Sequence, residues 1–364
     1  MGERKSAGAA RPGYAVIHFE ALGVEAEYLK EETAKAIRRE ELPKGHTCLI
    51  TPDTVQAFLK ENPGTVLPAL ITTKTHSVLP AGYLAGSRKS VITRSAGYDH
   101  FEHLAKRVNI ASLREYCVNA VAQTAMKFLY AAAGKLNHYE KNAGTFERQR
   151  SESFMELGTH RRVTVFGVGR IGKRICELAE ANGLSVQGVD ARVDELKRVH
   201  QGSVHFVSKE EALRSSDIFI NAMNLARNKR SRFFNVGYFS KAYLSKAKKG
   251  LIFINVTRGE IAPESVLLSL YRTGRIGGLG LDVFSREAEF ARLLAGEPVE
   301  GADLRAAREL VAMSLERRGN IYVQPHQGFN SDLAAKAKAV EAVKHIASWY
   351  KNNGKRFDEQ LPYY

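Results

Sequence analysis

The hexapeptide Gly-Val-Gly-Arg-Ile-Gly at residues 167–172 constrains this chain more than any other feature. It follows an apolar run at residues 163–166 and opens a segment with helical spacing at residues 171–181. The first glycine permits a tight turn, the second lets backbone approach a pyrophosphate, and the third allows close packing of helix on strand. Amide groups at the helix N-terminus then face the phosphates. The pattern predicts a dinucleotide site made by Gly167, Gly169, Arg170, Ile171 and Gly172.

An acidic residue, Asp190, indicates which dinucleotide the loop binds. It stands at the end of the next predicted strand. Its carboxylate can accept hydrogen bonds from both ribose hydroxyls of NAD, whereas it would repel the 2′-phosphate of NADP. Arg192 follows closely and can offset part of that repulsion, so use of NADP stays open. We therefore predict NAD as the cofactor and hydride transfer as the chemistry.

Short apolar runs alternate with segments of helical spacing, which predicts an α/β fold with parallel sheets. Strands are predicted at residues 14–19, 47–50, 69–72 and 90–93, and in a second series at 163–166, 185–189, 217–221, 251–256, 279–283 and 321–324. Amphipathic segments at 119–138 and 333–351 predict helices that link the two series. The predicted domains are a substrate domain, residues 1–117 with 328–364, and an NAD-binding domain, residues 118–327. The charged segment 289–318 is predicted to be a surface insertion.

Composition excludes several classes of protein. A chain of 364 residues with 44% hydrophobic and 26% charged residues suits two folded domains, and it contains no apolar run long enough to span a membrane. The basic first dozen residues lack the apolar core of a signal peptide. Three cysteines without metal-ligand spacing predict no metal site and favour a reducing cytoplasm.

The net charge of +15 has three interpretations. A basic solvated surface is the plainest, because lysine and arginine are spread along the chain. Attraction of anionic substrates is a second. Nucleic-acid binding is the weaker alternative, since no helix-turn-helix or zinc-finger pattern accompanies the charge.

Polar residues follow three of the predicted strands, at the sheet edge where open α/β proteins bind ligands. They are Arg258, Glu287 and His326. Taken singly, each could be an ordinary surface residue. Together they match what carbonyl reduction needs: an arginine to bind and polarise an anionic 2-keto acid, a histidine to deliver the proton, and a carboxylate to hold the histidine and favour its protonated form.

These residues lie in blocks that resemble the D-isomer-specific 2-hydroxyacid dehydrogenase family. The blocks are Gly-Val-Gly-Arg-Ile-Gly at 167–172, Ile-Asn-Val-Thr-Arg-Gly at 254–259, Leu-Asp-Val-Phe at 281–284 with Glu287, and Gln-Pro-His at 324–326. Two further blocks, 93–99 and 116–122, resemble the family's substrate loop and crossover helix. The tyrosine at 116, the charged insertion and Phe329 resemble the D-lactate dehydrogenase branch.

The resemblance implies two Rossmann-like or flavodoxin-like parallel-sheet domains with an active-site cleft between them, and a homodimer. It implies Arg258, Glu287 and His326 as the catalytic residues. It also implies cofactor contacts by Val256, Thr257 and Asp282, the last with the nicotinamide carboxamide. Substrate contacts are implied for Ala96, Gly97, Tyr116, Arg258 and Phe329.

The expected function is NADH-dependent reduction of a short, pyruvate-like 2-keto acid to the D-2-hydroxy acid. Gln327 and Met223 depart from the family's usual residues and leave the size of the substrate side chain open. The alternatives are an NAD-sensing corepressor, which the high charge favours, and a relative that oxidises formate or phosphite. Ala96 stands where phosphite enzymes carry a lysine, which disfavours the latter.

Overall fold

A computed structural model describes residues 13–85, 89–146, 148–149 and 152–363. The chain divides into two compact units, one made of residues 1–117 and 332–364 and the other of residues 118–331. Each unit contains one parallel sheet with helices. The α/β fold with two parallel sheets that the sequence predicts is therefore confirmed.

The first unit contains a five-stranded sheet in the order β2-β1-β3-β4-β5. Its strands are β1 (Val16–His18), β2 (Cys48–Ile50), β3 (Leu70–Thr73), β4 (Ser90–Thr93) and β5 (Asn109–Ser112). Its helices are α1 (Gly23–Arg38), α2 (Val55–Glu61), α3 (Ala81–Ala85) and the final helix of the chain, α13 (Ala334–Lys351). Helix α13 packs on α1, with Ala339, Val343 and Ile346 in the same apolar cluster as Leu29.

The second unit contains a six-stranded sheet in the order β11-β10-β9-β8-β6-β7. Its strands are β6 (Arg162–Phe166), β7 (Ser185–Val189), β8 (Ile218–Asn221), β9 (Leu251–Asn255), β10 (Ile276–Leu281) and β11 (Ile321–Val323). Its helices are α4 (Val118–Ala133), α5 (Leu136–Ala143), α6 (Arg170–Ala181), α7 (Val193–Val199), α8 (Lys209–Ser215), α9 (Lys241–Leu244), α10 (Glu264–Arg272), α11 (Glu287–Leu294) and α12 (Ala302–Leu315). The central strands β8 and β9 are buried throughout, which is typical of parallel strands covered on both faces.

The structure differs from the sequence prediction at three elements. Strand β5 is unpredicted because its four residues, Asn-Ile-Ala-Ser, begin and end on polar side chains. The single predicted helix at 119–138 is broken, since Gly134 follows the end of α4 and Lys135 adopts a left-handed conformation with φ 48°. Strand β10 begins at Ile276 rather than 279, and its Gly280 lies so close to Phe128 of α4 that a Cβ there would stand 2.5 Å from the Phe128 Cβ.

The charged segment 289–318 is not a surface insertion. Helices α11 and α12 lie within it, and α12 packs against α10. Leu304, Ala307 and Leu310 of α12 are buried in the main apolar cluster of the second unit. The charged residues lie on the outer face of α12. The composition of the segment is therefore charged although one face of the helix is apolar and buried.

Among the described residues, no helix combines the length and apolar character needed to cross a membrane.

Two leucines of α12 test whether this segment belongs to the core. Leu310 is fully buried, whereas Leu315 on the same helix is 77% exposed. We expect Leu310→Ala to lower the free energy of unfolding by about 2–5 kcal/mol, because it removes buried methyl groups and leaves a cavity. Leu315→Ala is the matched control and should change it by less than about 0.5 kcal/mol. Denaturant unfolding measures both free energies. Equally small effects of the two substitutions would contradict the burial of α12 in the core.

Candidate functional site

The glycine loop between β6 and α6 has the geometry of a dinucleotide site. Gly167 adopts φ +84°, and a Cβ there would lie 2.7 Å from the Met223 backbone. A Cβ on Gly172 would lie 1.9 Å from the Gly167 carbonyl oxygen. Only glycine at position 172 therefore allows α6 to pack this closely on the turn after β6. Gly169 differs, since a Cβ there would meet only Arg192, at 4.0 Å. The open space at Gly169, where α6 begins, suits a pyrophosphate.

Asp190 lies beyond the end of β7 and is tied to the same loop. Its Oδ2 accepts a hydrogen bond from the Val168 amide at 2.8 Å, and its Oδ1 accepts from the Arg192 amide at 2.9 Å. The Arg192 Nε lies 3.6 Å from Oδ1. The carboxylate is thus held beside the glycine loop, where it can accept from a ribose, and Arg192 lies beside it as the sequence analysis allowed.

The three strand-end residues follow three adjacent strands. Strands β9, β10 and β11 are parallel neighbours, and Leu281 pairs with both Asn255 and Val323 at their carboxyl ends. The segments that carry Arg258, Glu287 and His326 therefore leave the sheet at the same edge.

Close backbone packing positions the segment of Arg258. A Cβ on Gly259 would lie 2.1 Å from backbone atoms of Phe284 and Ser285, so this turn can press against the loop after β10 only as glycine. Asn255 Nδ2 donates to the Arg258 carbonyl at 2.9 Å, and an Arg258 guanidinium nitrogen donates to the Thr257 carbonyl at 2.9 Å. Arg258 as a whole is half-buried.

A side-chain amide network supports the same strand ends. Asn221, at the end of β8, donates through Nδ2 to Asn255 Oδ1 and to Thr257 Oγ1, each at 2.9 Å. Asn221 and Asn255 are buried, so the network satisfies polar groups that water cannot reach. Sequence reasoning missed this supporting role for both asparagines.

Asp282 organises the loop that carries the histidine. This buried carboxylate accepts from Gln324 Nε2 at 2.7 Å, from the Gln327 amide at 2.9 Å and from the Gly328 amide at 2.9 Å. The Asp282 carbonyl accepts from the His326 amide at 2.6 Å. A Cβ on Gly328 would lie 2.5 Å from Asp282 Oδ2. The role predicted for Asp282 from the sequence is a cofactor contact, and this structural role is an addition to it.

His326 and Glu287 form a pair. The His326 Nδ1 lies 2.8 Å from Glu287 Oε2, and Glu287 Oε1 accepts from the Phe284 amide at 3.4 Å. Beside an ionised carboxylate, Nδ1 is the donor, which leaves Nε2 as the nitrogen that can exchange a proton with a ligand. The Phe329 ring lies edge-on to the imidazole, with centroids 6.4 Å apart.

The backbone of His326 is strained. Its φ is +51°, a left-handed conformation that a residue with a Cβ adopts at a cost of about 1–3 kcal/mol. Arg286, which precedes Glu287, has φ +53°. Such strain persists where surrounding contacts over-determine it and clusters at functional sites. His326 and the residue that precedes Glu287 thus stand at constrained backbone positions.

The loop after β4 carries two of the predicted substrate residues in the first unit. Ala96 and Gly97 are half-buried, and Ser95 Oγ donates to the Gly97 carbonyl at 2.8 Å. Tyr116 follows β5, and its amide donates to Glu341 Oε2 at 2.8 Å. Burial raises the pKa of the Tyr116 phenol well above its ordinary value. The phenol therefore stays neutral, and it is hydrogen-bonded with the Cys117 side chain.

Among the described residues, no three His, Cys, Asp or Glu side chains are grouped so that they could hold a metal ion.

Comparison with known families identifies the second unit. Residues 126–328 match the model of the D-isomer specific 2-hydroxyacid dehydrogenase NAD binding domain. The chain belongs to this family. NAD as cofactor and the class of NAD-dependent oxidoreductases acting on CH–OH groups are thereby confirmed, as is the resemblance found in the sequence.

The sequence identity between this chain and individual relatives is low. A D-lactate dehydrogenase of Lactiplantibacillus plantarum is 24% identical over 277 residues, which are 74% of this chain and 76% of that protein. A D-3-phosphoglycerate dehydrogenase of Bacillus subtilis is 31% identical over 160 residues, 44% of this chain but only 28% of the relative. The solved D-lactate dehydrogenase of Aquifex aeolicus shares the fold, with a TM-score of 0.73 at 20% identity, covering 93% of this chain and 96% of that one.

Two glycine variants test the loop. We expect Gly169→Ala to keep the melting temperature while raising the Kd for NADH at least about ten-fold, because its Cβ would enter the open space. Gly172→Ala should lower both stability and NADH affinity, because its Cβ overlaps the Gly167 carbonyl. NADH fluorescence titration and thermal unfolding separate the two effects. Unchanged NADH binding by Gly169→Ala would remove this loop from the cofactor site.

Proposed function

We propose that the protein reduces a 2-keto acid to the D-2-hydroxy acid with NADH, and that His326 is the proton donor. The observation that carries the proposal is the His326–Glu287 pair at 2.8 Å, held at the edge of the family's NAD-binding sheet. D-lactate dehydrogenases among the relatives support a short, pyruvate-like substrate. The D configuration follows from family membership.

The cofactor would be held by the glycine loop and Asp190, whose geometry suits the pyrophosphate and ribose of NAD. Val256, Thr257 and Asp282, at the ends of β9 and β10, would border the nicotinamide. When bound, NADH supplies the hydride that C2 of the substrate accepts.

The remaining chemistry falls to the side chains of this chain. Arg258 would bind the substrate carboxylate and polarise the C2 carbonyl of the substrate through two parallel N–H donors. The Ala96 and Gly97 backbone and Tyr116 would bind the same carboxylate, and Phe329 would contact the substrate. His326 would donate its Nε2 proton to the carbonyl oxygen, while Glu287 stabilises the imidazolium before transfer.

A homodimer remains a prediction from the family resemblance, and a cytoplasmic location remains a prediction from the cysteine content. Sedimentation of the purified protein at twice the chain mass would support the dimer. A corepressor function remains an alternative, which the net charge of +15 favours, as do formate and phosphite as substrates.

Steady-state turnover of a substrate panel tests the function. We expect NADH oxidation with pyruvate, hydroxypyruvate, glyoxylate or a branched 2-keto acid, and a higher kcat/KM with NADH than with NADPH because Asp190 repels a 2′-phosphate. Arg258→Lys should raise KM and lower kcat, since a point charge cannot replace the bidentate fork. NADH binding without turnover of any 2-keto acid would instead favour the corepressor, and turnover of formate or phosphite with NAD would favour those relatives.

A charge-removing variant tests the histidine pair. In Glu287→Gln the amide oxygen can still accept from Nδ1, but the negative charge that stabilises the imidazolium is gone. We therefore expect kcat/KM for reduction at neutral pH to fall at least about ten-fold.

Glu289→Gln is the matched control for this change. Glu289 lies on the same helix, α11, and pairs with Arg286 rather than with His326. Its kcat/KM should equal that of the unsubstituted protein. An unchanged kcat/KM in Glu287→Gln would exclude Glu287 as the partner of the proton donor.

A further inference from the structure

Glu264 is a buried residue that the proposed reaction does not use. It is the first residue of α10, shortly after Arg258 in the chain, and it is 1% exposed. Its Oε1 accepts a hydrogen bond from the Ser285 amide at 2.6 Å. Its Oε2 is also buried and has no hydrogen-bond partner among the described residues. The contact with Ser285 is therefore made while a second oxygen stays unsatisfied.

The peptide that Glu264 holds lies between two segments of the candidate site. Ser285 follows the end of β10 and precedes Glu287 by two positions. The same peptide packs on Gly259, where a Cβ would lie 2.1 Å from the Ser285 nitrogen. The segment that begins with Arg258 thus contacts this peptide twice, through Gly259 and through Glu264. The close packing fixes the distance between the two segments, and the hydrogen bond fixes the direction of the Ser285 N–H.

The orientation of this peptide affects Glu287. Arg286, the residue between Ser285 and Glu287, is constrained to φ +53°. The Phe284 amide, on the other side of Ser285, donates to Glu287 Oε1 at 3.4 Å. A shift of the peptide would therefore move the carboxylate that pairs with His326. A misplacement of about 1 Å in a catalytic group can lower a rate about 100-fold.

The contact depends on an acceptor oxygen rather than on a full negative charge. Burial raises the pKa of Glu264 to about 7, an effect that hydrogen bonds from Ser285 oppose and the charge of Asp303 increases. A neutral carboxylic acid still has a carbonyl oxygen that can accept from the Ser285 amide, and so does a carboxamide. The unsatisfied Oε2 offsets much of the stability that the bond contributes.

We propose that Glu264 is a positioning residue for the reduction. It acts through the Ser285 amide and holds Glu287 in place beside His326. In this role Glu264 contacts neither substrate nor cofactor. The inference rests on the proposed function, in which His326 is the proton donor and Glu287 is its partner.

Two substitutions test the role, with NADH and the 2-keto acid that the unsubstituted protein reduces best. Glu264→Gln keeps an acceptor for the Ser285 amide and should keep kcat within about three-fold. Glu264→Met has a similar size but no such acceptor, so kcat should fall at least about ten-fold. The Kd for NADH should change less than about two-fold in both variants, because the glycine loop follows β6, which β8 separates from β9 in the sheet.

A second background shows whether the effect passes through Glu287. In Glu287→Ala there is no carboxylate to position. Adding Glu264→Met to this variant should therefore lower kcat by less than about two-fold, whereas two independent losses would multiply. A purely structural defect at Glu264 would lower kcat by the same factor in both backgrounds.

Ser265→Ala is the matched control for stability. Ser265 is next to Glu264 on α10 and also bonds to another helix, since its hydroxyl donates to Asp303 Oδ1 of α12 at 2.6 Å. Its removal should lower the melting temperature but leave kcat within about two-fold. The kcat of every variant is measured well below its melting temperature, so that a loss caused by unfolding is not counted.

Several results would overturn the positioning role. Glu264→Met could keep the kcat of the unsubstituted protein, or Glu264→Gln could lose as much as Glu264→Met. Glu264→Met could also lower kcat equally in the Glu287→Ala background, or fail to fold, which would assign Glu264 to stability alone. In each case 2-keto acid reduction by the unsubstituted protein would stand. If the unsubstituted protein reduces no 2-keto acid, the proposed function itself fails.

Discussion

The buried carboxylate of Asp282 is the constraint on which the candidate site depends. Located just past β10, it accepts hydrogen bonds from the side chain of Gln324 and the amides of Gln327 and Gly328. A carboxylate that is 1% exposed would be strongly destabilising without such donors. The same contacts close the loop around His326 and hold its backbone in the left-handed region. The geometry of the candidate site thus depends on the hydrogen bonds that satisfy one buried carboxylate.

Glycines at close backbone contacts allow the other segments of the site to pack together. Gly167 and Gly172 allow β6 and α6 to meet, and Gly259 lets the turn of Arg258 press on the loop that leads to Glu287. Gly280 admits the Phe128 ring of α4 against the strand that carries Asp282. At each position a Cβ would overlap a neighbouring atom, so close packing rather than flexibility explains these residues.

The two units differ in what they contribute. The match to the family's NAD binding domain, residues 126–328, lies within the second unit. This match accounts for the cofactor chemistry. The first unit contains the cluster of Glu25, Lys74, Arg94 and Lys338. These residues lie outside the match to the family's NAD binding domain. Cofactor and reaction class are therefore family properties.

Local patterns in the sequence determined much of this protein. Alternating apolar and amphipathic runs predicted two parallel sheets, the glycine hexapeptide with Asp190 predicted NAD, and the strand ends predicted Arg258, Glu287 and His326. Each of these depends on residues close together in the chain, since strand, turn and helix signals are short-range.

Only the tertiary structure decided which distant residues meet. The burial of α12, the role of Asp282 and the approach of Lys338 to Glu25 all depend on contacts between remote segments. Lys338 has an ordinary place on an amphipathic helix, and Glu25 has one on another. Their charges matter because α13 packs on α1, and no periodicity within either helix encodes that contact.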